Sequence, residues 1–298
     1  MSKERKLISF DWVIKRMIRD KGDFNIVEGF LSELLGDDIK IRNILESESN
    51  REKKDSKTNR VDILVEDSQN KLIIVEIQHE TEYDYLQRIL FGASKLLVEN
   101  IKAGMMYGKI RKVISVSIVY FDLGQGEDYA YVGQTKFIGL NKKDELKLNE
   151  TQQKLYRAEK IEDIYPEYYL LKVNQFKGDP HNAIDEWIYF LKNEEIKDDF
   201  KARGIQEAKK ELNILKMPEE ERQKYEAYME DLRYQASMYE SSYKVGEMKG
   251  KKEGKEEGIK EGQEQKTREI AKLLKDASDP PGKIAAITGL SLADLEKL

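Results

Sequence analysis

The 298-residue sequence contains no cysteine. Disulfide scaffolds, zinc ribbons, iron–sulfur clusters and thiol catalysis are excluded with it. Histidine is nearly as scarce: His79 and His181 are the only two, too few for a histidine-rich metal centre. No apolar run approaches the ~18 residues that a membrane-crossing helix needs. The opening Met1-Ser2-Lys3-Glu4-Arg5-Lys6 has no apolar stretch of the kind a secretion signal requires. These absences lead us to expect a soluble, cytoplasmic protein without membrane contact. An excess of one charge sign is also missing. The 52 basic residues face 57 acidic ones, for a net charge of −5. That excludes a protein that coats DNA by global positive charge, but not one with a local basic groove.

Balanced charge is what the chain has in abundance. Asp, Glu, Lys and Arg make up 37% of it, against ~25% in an average soluble domain. Hydrophobic residues, at 39%, suffice for a core. The length suits one large domain with an appendage, or two domains, at ~100–200 residues per domain. Composition divides it into a domain over residues 1–200, a charged helical extension over 201–269 and a short helical tail over 270–298. Residues 201–270 hold 16 basic and 16 acidic residues, with opposite signs at i,i+4 as on a long exposed helix. Gly246, Gly250, Gly254, Gly258 and Gly262 recur every fourth position, and each costs a helix about 1 kcal/mol. A flexible linker fits this repeat. So does a helix whose glycine stripe allows close self-packing, and hence a homo-oligomer formed through the extension. In the tail, Thr288-Gly289-Leu290-Ser291 separates two short helical patterns. It resembles the turn of a helix-turn-helix, and a plain helical hairpin fits equally.

Within the first domain, residues 7–35 follow a helical period broken at Gly22, with Gly36 as a stop. Ile39, Ile41 and Ile44 suit a first strand. Val61–Val65 and the β-branched Leu72–Gln78 flank the turn residues Asp67-Ser68-Gln69-Asn70 and form a hairpin. A helix follows from about Tyr83 to Ile101, ended by Gly104. Val113–Phe121 is a buried strand, residues 122–128 a loop, and Tyr129–Ile138 a further strand. Residues 161–200 are mixed, with a helix from Ala183 to Leu191 burying Trp187 and Phe190. The fold class is therefore α/β: a small mixed sheet flanked by helices, with a helical C-terminal extension.

The hairpin carries the chemistry. If Glu66 pairs with Leu72, paired positions sum to 138 and Asp62 lies opposite Glu76. Alternation then sets both acids on one face with Leu64, Ile74 and Gln78, about 5 Å apart. Like charges in opposition destabilise a sheet, and burial adds several kcal/mol. A divalent cation between them reverses that sign, and an all-oxygen site suits magnesium or manganese. The alternative is that both acids face water on an open sheet face. The helix after the hairpin favours the site, since it covers one sheet face and leaves a cleft at the strand edge.

Asp62, then thirteen residues, then Glu76-Ile77-Gln78 resembles the PD-(D/E)xK nuclease core. More specifically, Arg60–Val65, Ile74–Gln78, Arg88, Gly104 with Tyr107, and Val113–Val116 resemble the Rpn family of recombination-promoting nucleases, also labelled transposases. Phe30-Leu31 and Leu34-Leu35 are similar to its upstream helix, and the glycine-punctuated tail to its C-terminal part. The resemblance implies a restriction-endonuclease-like core and a magnesium-dependent DNA endonuclease (manganese as an alternative), in recombination, mobile-element or phage-defence biology. It maps the metal ligands to Asp62, Glu76 and the Ile77 backbone carbonyl. The bound ion would polarise the scissile phosphate and lower the pKa of the attacking water.

Gln78 departs from the superfamily's lysine, although glutamine is itself typical of the Rpn branch. It can orient water or phosphate only by hydrogen bonds. Arg88 or Lys95 on the next helix could supply the missing charge, with Gln87 beside Arg88. A further acid from the N-terminal helices often completes such a site; Glu28 is the first candidate and Asp11 the second. The rival function is a catalytically inactive nuclease-fold module that binds nucleic acid or protein. His79 falls on the opposite face from Gln78 and reads as a packing residue.

Overall fold

The computed structural model describes residues 7–14, 24–45, 60–101, 107–213 and 217–298, with the backbone alone at 60–62. The expected helix break at Gly22 and stop at Gly104 lie outside these residues. The chain forms two units, Met1–Leu232 and Arg233–Leu298.

The first unit is built on a six-stranded mixed sheet, β1 (Ile41–Ile44), β2 (Arg60–Asp67), β3 (Leu72–Gln78), β4 (Val113–Val119), β5 (Ala130–Gly133) and β6 (Glu167–Lys172). In space the order is β1-β2-β3-β4-β6-β5. β3, β4 and β6 run parallel, and the other neighbours are antiparallel. The helices of this unit are α1 (Asn25–Leu35), α2 (Tyr85–Glu99), α3 (Glu150–Tyr156), α4 (Ala183–Asn193), α5 (Ile205–Glu211) and the first turns of α6 (Glu219–Asp276). Residues 10–14 are also helical.

Strands covered on both faces read as near-continuous apolar runs, and all of β4 is buried. One face, through Ile63, Val65, Ile73, Val75, Ile77, Val116 and Ile118, shares the main core with Phe10, Phe30, Trp187 and Phe190. On the other face α2 sets Ala93 and Leu96 on Leu64, Leu72 and Val113, and Tyr85 and Ile89 on Val119. This is the expected α/β core with helices on both sides of the sheet.

The hairpin register is the expected one, with Glu66↔Leu72 and Asp62↔Glu76. Gly36 ends α1 at φ 65°, a left-handed conformation that glycine adopts without strain. The strand expected over Tyr129–Ile138 is shorter, Ala130–Gly133. Its partner β6 falls in the segment expected to be mixed. The first unit also runs past residue 200, because Ala202, Ile205, Ala208, Leu212, Tyr225 and Met229 are buried in its core.

α1 meets the backbone of the turn that opens α5. A Cβ on Gly29 would stand 2.8 Å from the Arg203 carbonyl oxygen and 3.2 Å from Gly204 Cα. Gly29→Ala therefore forces the helices apart. The expected cost is about 1–3 kcal/mol, seen as a fall of several degrees in Tm.

The second unit contains the rest of α6, α7 (Pro281–Thr288) and α8 (Leu292–Glu296). Ala271, Ile284 and Leu295 form its small core. The five repeated glycines lie inside α6, and a Cβ at any of them would meet nothing within 4 Å. The repeat is thus helical rather than a coil linker. Exposed i,i+4 ion pairs such as Lys244–Glu240 and Lys251–Glu247 offset part of the glycine cost. Gly289 closes α7 at φ 73°, and α8 begins at a Ser291 cap.

Candidate active and metal site

β3 is apolar until its last residues, Glu76-Ile77-Gln78. Burial there puts two polar side chains where each needs a partner. The hairpin register sets Asp62 of β2 opposite Glu76. On the other side, the parallel register sets Ser117 of β4 beside Glu76, and Val119 beside Gln78. Glu76, Gln78 and Ser117 are all buried. Ile77 turns its side chain into the main core, so only its backbone is available to a site shared by Glu76 and Gln78.

The helix over this face supplies the cation. Arg88, in the first turns of α2, forms an ion pair with Glu76. Its Nη1 lies 2.9 Å from Glu82, and the guanidinium sits over the buried Tyr85 ring at 4.7 Å. Glu76 therefore has a resident counter-charge, so its burial does not by itself demand a metal ion. Two carboxylates, Glu76 and Glu82, thus share the Arg88 guanidinium.

Gln78 Nε2 donates to the Glu80 carbonyl at 3.1 Å, which orients the amide. Among the described residues, Gln78 Oε1 and Ser117 Oγ are buried without a hydrogen-bond partner. A buried acceptor left unmatched costs about 1–3 kcal/mol, and is a place where a water or a hard cation is accommodated. Beside the Arg88 guanidinium, the Glu76 carboxylate is thus joined by the amide oxygen of Gln78 and the hydroxyl of Ser117, oxygen donors of the kind that fit a hard divalent cation. Among the described residues no three Asp, Glu or His side chains gather as a metal cage.

The other expected residues lie elsewhere. Glu28 accepts from the Ile41 backbone N–H at 2.8 Å and from Lys40 at 2.9 Å. Ile41 pairs with Asp67, five residues from Asp62, or about 17 Å along the strand. Glu28 thus anchors the start of β1 and does not meet Glu76. Asp11 comes nearer. Its buried carboxylate accepts from the Tyr228 hydroxyl at 2.9 Å and lies 3.3 Å from His79 Nε2. Burial pushes the Asp11 carboxyl up, but the His79 ring and the Tyr228 hydroxyl outweigh it and hold it below the ordinary aspartate value. His79 follows Gln78 and stacks on Tyr120 at 4.3 Å, as a packing residue does. Lys95 sits 3.7 Å from Glu99, and Gln87 is on the exposed side of α2.

Two features escaped the sequence reading. Ser115 and Ser117 are the polar residues of Val113-Ile-Ser-Val-Ser-Ile-Val, and their alternation was the available signal. The Asp11–His79–Tyr228 cluster joins residues up to 217 positions apart, and no local pattern marks it.

A family model described as PD-(D/E)XK nuclease family transposase matches residues 8–242. The chain belongs to this family. The match spans the sheet, the site and the start of α6. No curated protein and no solved structure matches the chain. Its function is accordingly nuclease- or transposase-like, with DNA the substrate the family implies, and PD-(D/E)xK nucleases typically use divalent metal ions. Among the described residues no helix is long and apolar enough to cross a membrane.

Proposed function

We propose that the chain is a metal-dependent DNA endonuclease of the Rpn type. It would hydrolyse phosphodiester bonds in the cytoplasm, in recombination or mobile-element biology. The observation that carries this is the in-register opposition of Asp62 and Glu76, two residues before a Gln78 whose amide oxygen lacks a partner among the described residues. Asp62, Glu76 and the Ile77 carbonyl would hold magnesium, or manganese in its place. When bound, the ion polarises the scissile phosphate and lowers the pKa of the attacking water. Gln78 Oε1 accepts a hydrogen bond from that water and aims it. Nε2 is already committed to Glu80, so the amide does not swing away. Arg88 fixes the Glu76 carboxylate and supplies the positive charge that Gln78 lacks.

A second reading is a nuclease-fold module that binds nucleic acid or protein without cutting. It draws on the Arg88–Glu76 ion pair, which balances Glu76 without metal, and on Gln78 in the place of lysine. Plasmid cleavage by the full chain in magnesium and in EDTA separates the two. We expect nicking or linearisation in magnesium, none in EDTA, and recovery with manganese. DNA binding with no cleavage in either metal would sink the nuclease reading and leave the second.

A further inference from the structure

Gln78 serves the site only with its amide oxygen turned inward. A half-turn of the amide would put Nε2, a donor, in the place of that acceptor. The choice is made by one hydrogen bond, from Nε2 to the Glu80 carbonyl at 3.1 Å. That carbonyl lies past the end of β3, in residues 79–84, which are neither strand nor helix. A carbonyl on such a stretch is a steady reference only if the backbone between it and Gln78 is held.

The residue between is His79, and it is held from the opposite face of the sheet. Its ring lies on Tyr120, with centroids 4.3 Å apart, and its Nε2 is 3.3 Å from Asp11 Oδ2. Both partners are themselves anchored. The Tyr120 N–H donates to the Gln78 carbonyl at 3.0 Å, and the Tyr120 hydroxyl to the Leu191 carbonyl of α4 at 3.0 Å. Asp11 Oδ2 accepts from the hydroxyl of Tyr228, on α6, at 2.9 Å. A stacked ring can slide in its own plane, and a polar contact at its edge stops that slide. Packing alone does not account for these residue types. The Asp11 side chain is only 3% exposed, and a buried carboxylate gives up hydration that an apolar residue there would not have to lose. What it does is fix the angle of one imidazole, at the backbone step on which the Gln78 amide depends.

We propose that His79, Asp11 and Tyr228 are positioning residues that keep the Gln78 amide oxygen aimed into the site. The first turns of α6 are thereby part of the active centre, although they are remote from β3 in sequence. The inference rests on the reading of Gln78 as the group that aims the attacking water.

The test uses the full chain. His79→Phe keeps a ring on Tyr120 and removes Nε2, and Tyr228→Phe removes only a hydroxyl. Tyr225→Phe is the control, since it loses another hydroxyl of α6, the one that accepts from the Ser9 N–H at 3.1 Å. Heteronuclear NMR reads the Gln78 side-chain amide directly, its two proton resonances being assigned by their loss in Gln78→Met. His79→Phe and Tyr228→Phe should shift or broaden these resonances, and the control should not. In magnesium, plasmid cleavage by the same two variants should fall about 10–100-fold in kcat, the usual effect of removing a partner that stands behind a metal site's own groups, with KM for DNA unchanged. Gln78 resonances that stay in place in both variants overturn the proposal whatever the activity. So does an equal loss of kcat in Tyr225→Phe, which would mean a general loosening of α6. Resonances that move as expected in a protein that cuts no DNA uphold the positioning and sink the nuclease reading.

Discussion

Replacing Asp62 with asparagine is expected to lower magnesium-dependent DNA cleavage by about 10²–10³-fold, the usual effect of removing one group that stabilises charge in a transition state. The exchange is nearly isosteric and keeps the strand register, so the fold should survive it. Asp62 and Glu76 are opposed across the hairpin, and like charges in that relation destabilise a sheet by a fraction of a kcal/mol. Without metal, Tm should therefore hold or rise slightly while activity collapses. A purely structural Asp62 would give the reverse: activity close to wild type, or a loss that tracks a fall in Tm. Calorimetric titration with magnesium supplies the third reading, a heat present in the wild type and lost in Asp62→Asn. Wild-type cleavage by this variant would remove Asp62 from the site.

The second large effect is on stability. Trp187→Ala should cost about 3–5 kcal/mol and lower Tm by roughly 6–20 °C, at ~2–4 °C per kcal/mol for a unit of this size. Trp187 is fully buried. Its ring lies edge-on to Phe10, Phe30 and Phe190 at centroid distances of 6.3, 5.8 and 6.1 Å. It thereby joins residues 10–14, α1 and α4 over the sheet. Trp187→Phe should cost clearly less, because Nε1 has no hydrogen-bond partner among the described residues and so no bond is lost. Thermal denaturation of both variants checks the order. Equal losses would mean that the indole volume, rather than the aromatic contacts, sets the stability.

The parts of this fold that the sequence made legible are those governed by neighbours in the chain. The β2–β3 register followed from two alternating runs and a four-residue turn, and Asp62 met Glu76 as the arithmetic required. α2 and α4 followed from helical spacing around Tyr85 and Trp187. β6 did not, because Glu167-Tyr-Tyr-Leu-Leu-Lys has no clean two-residue period and its pairing with β4 is parallel and remote. At the site, Arg88 was legible as a cation in the right helix. Its simultaneous hold on Glu76 and Glu82 was not, since that depends on how α2 leaves the end of β3. Glu28 illustrates the converse. A helix acid is an ordinary thing in a sequence, and nothing local reveals that its oxygens serve the Ile41 N–H rather than a metal. Asp11 was distinguished from it only by a hydroxyl and an imidazole from distant segments.

That distance has a consequence for synthesis. The Ser9 N–H donates to the Tyr225 hydroxyl across a separation of 216 residues, and Trp12 packs on Tyr225 and Tyr228. At about 5–20 residues per second on the ribosome, Ser9 and Trp12 wait roughly 10–40 s for these partners to be made. Throughout that interval Trp12 lacks the two tyrosine rings that pack on it. The N-terminal end of the unit therefore completes its packing only after residue 228 has been made, late in the translation of the 298-residue chain.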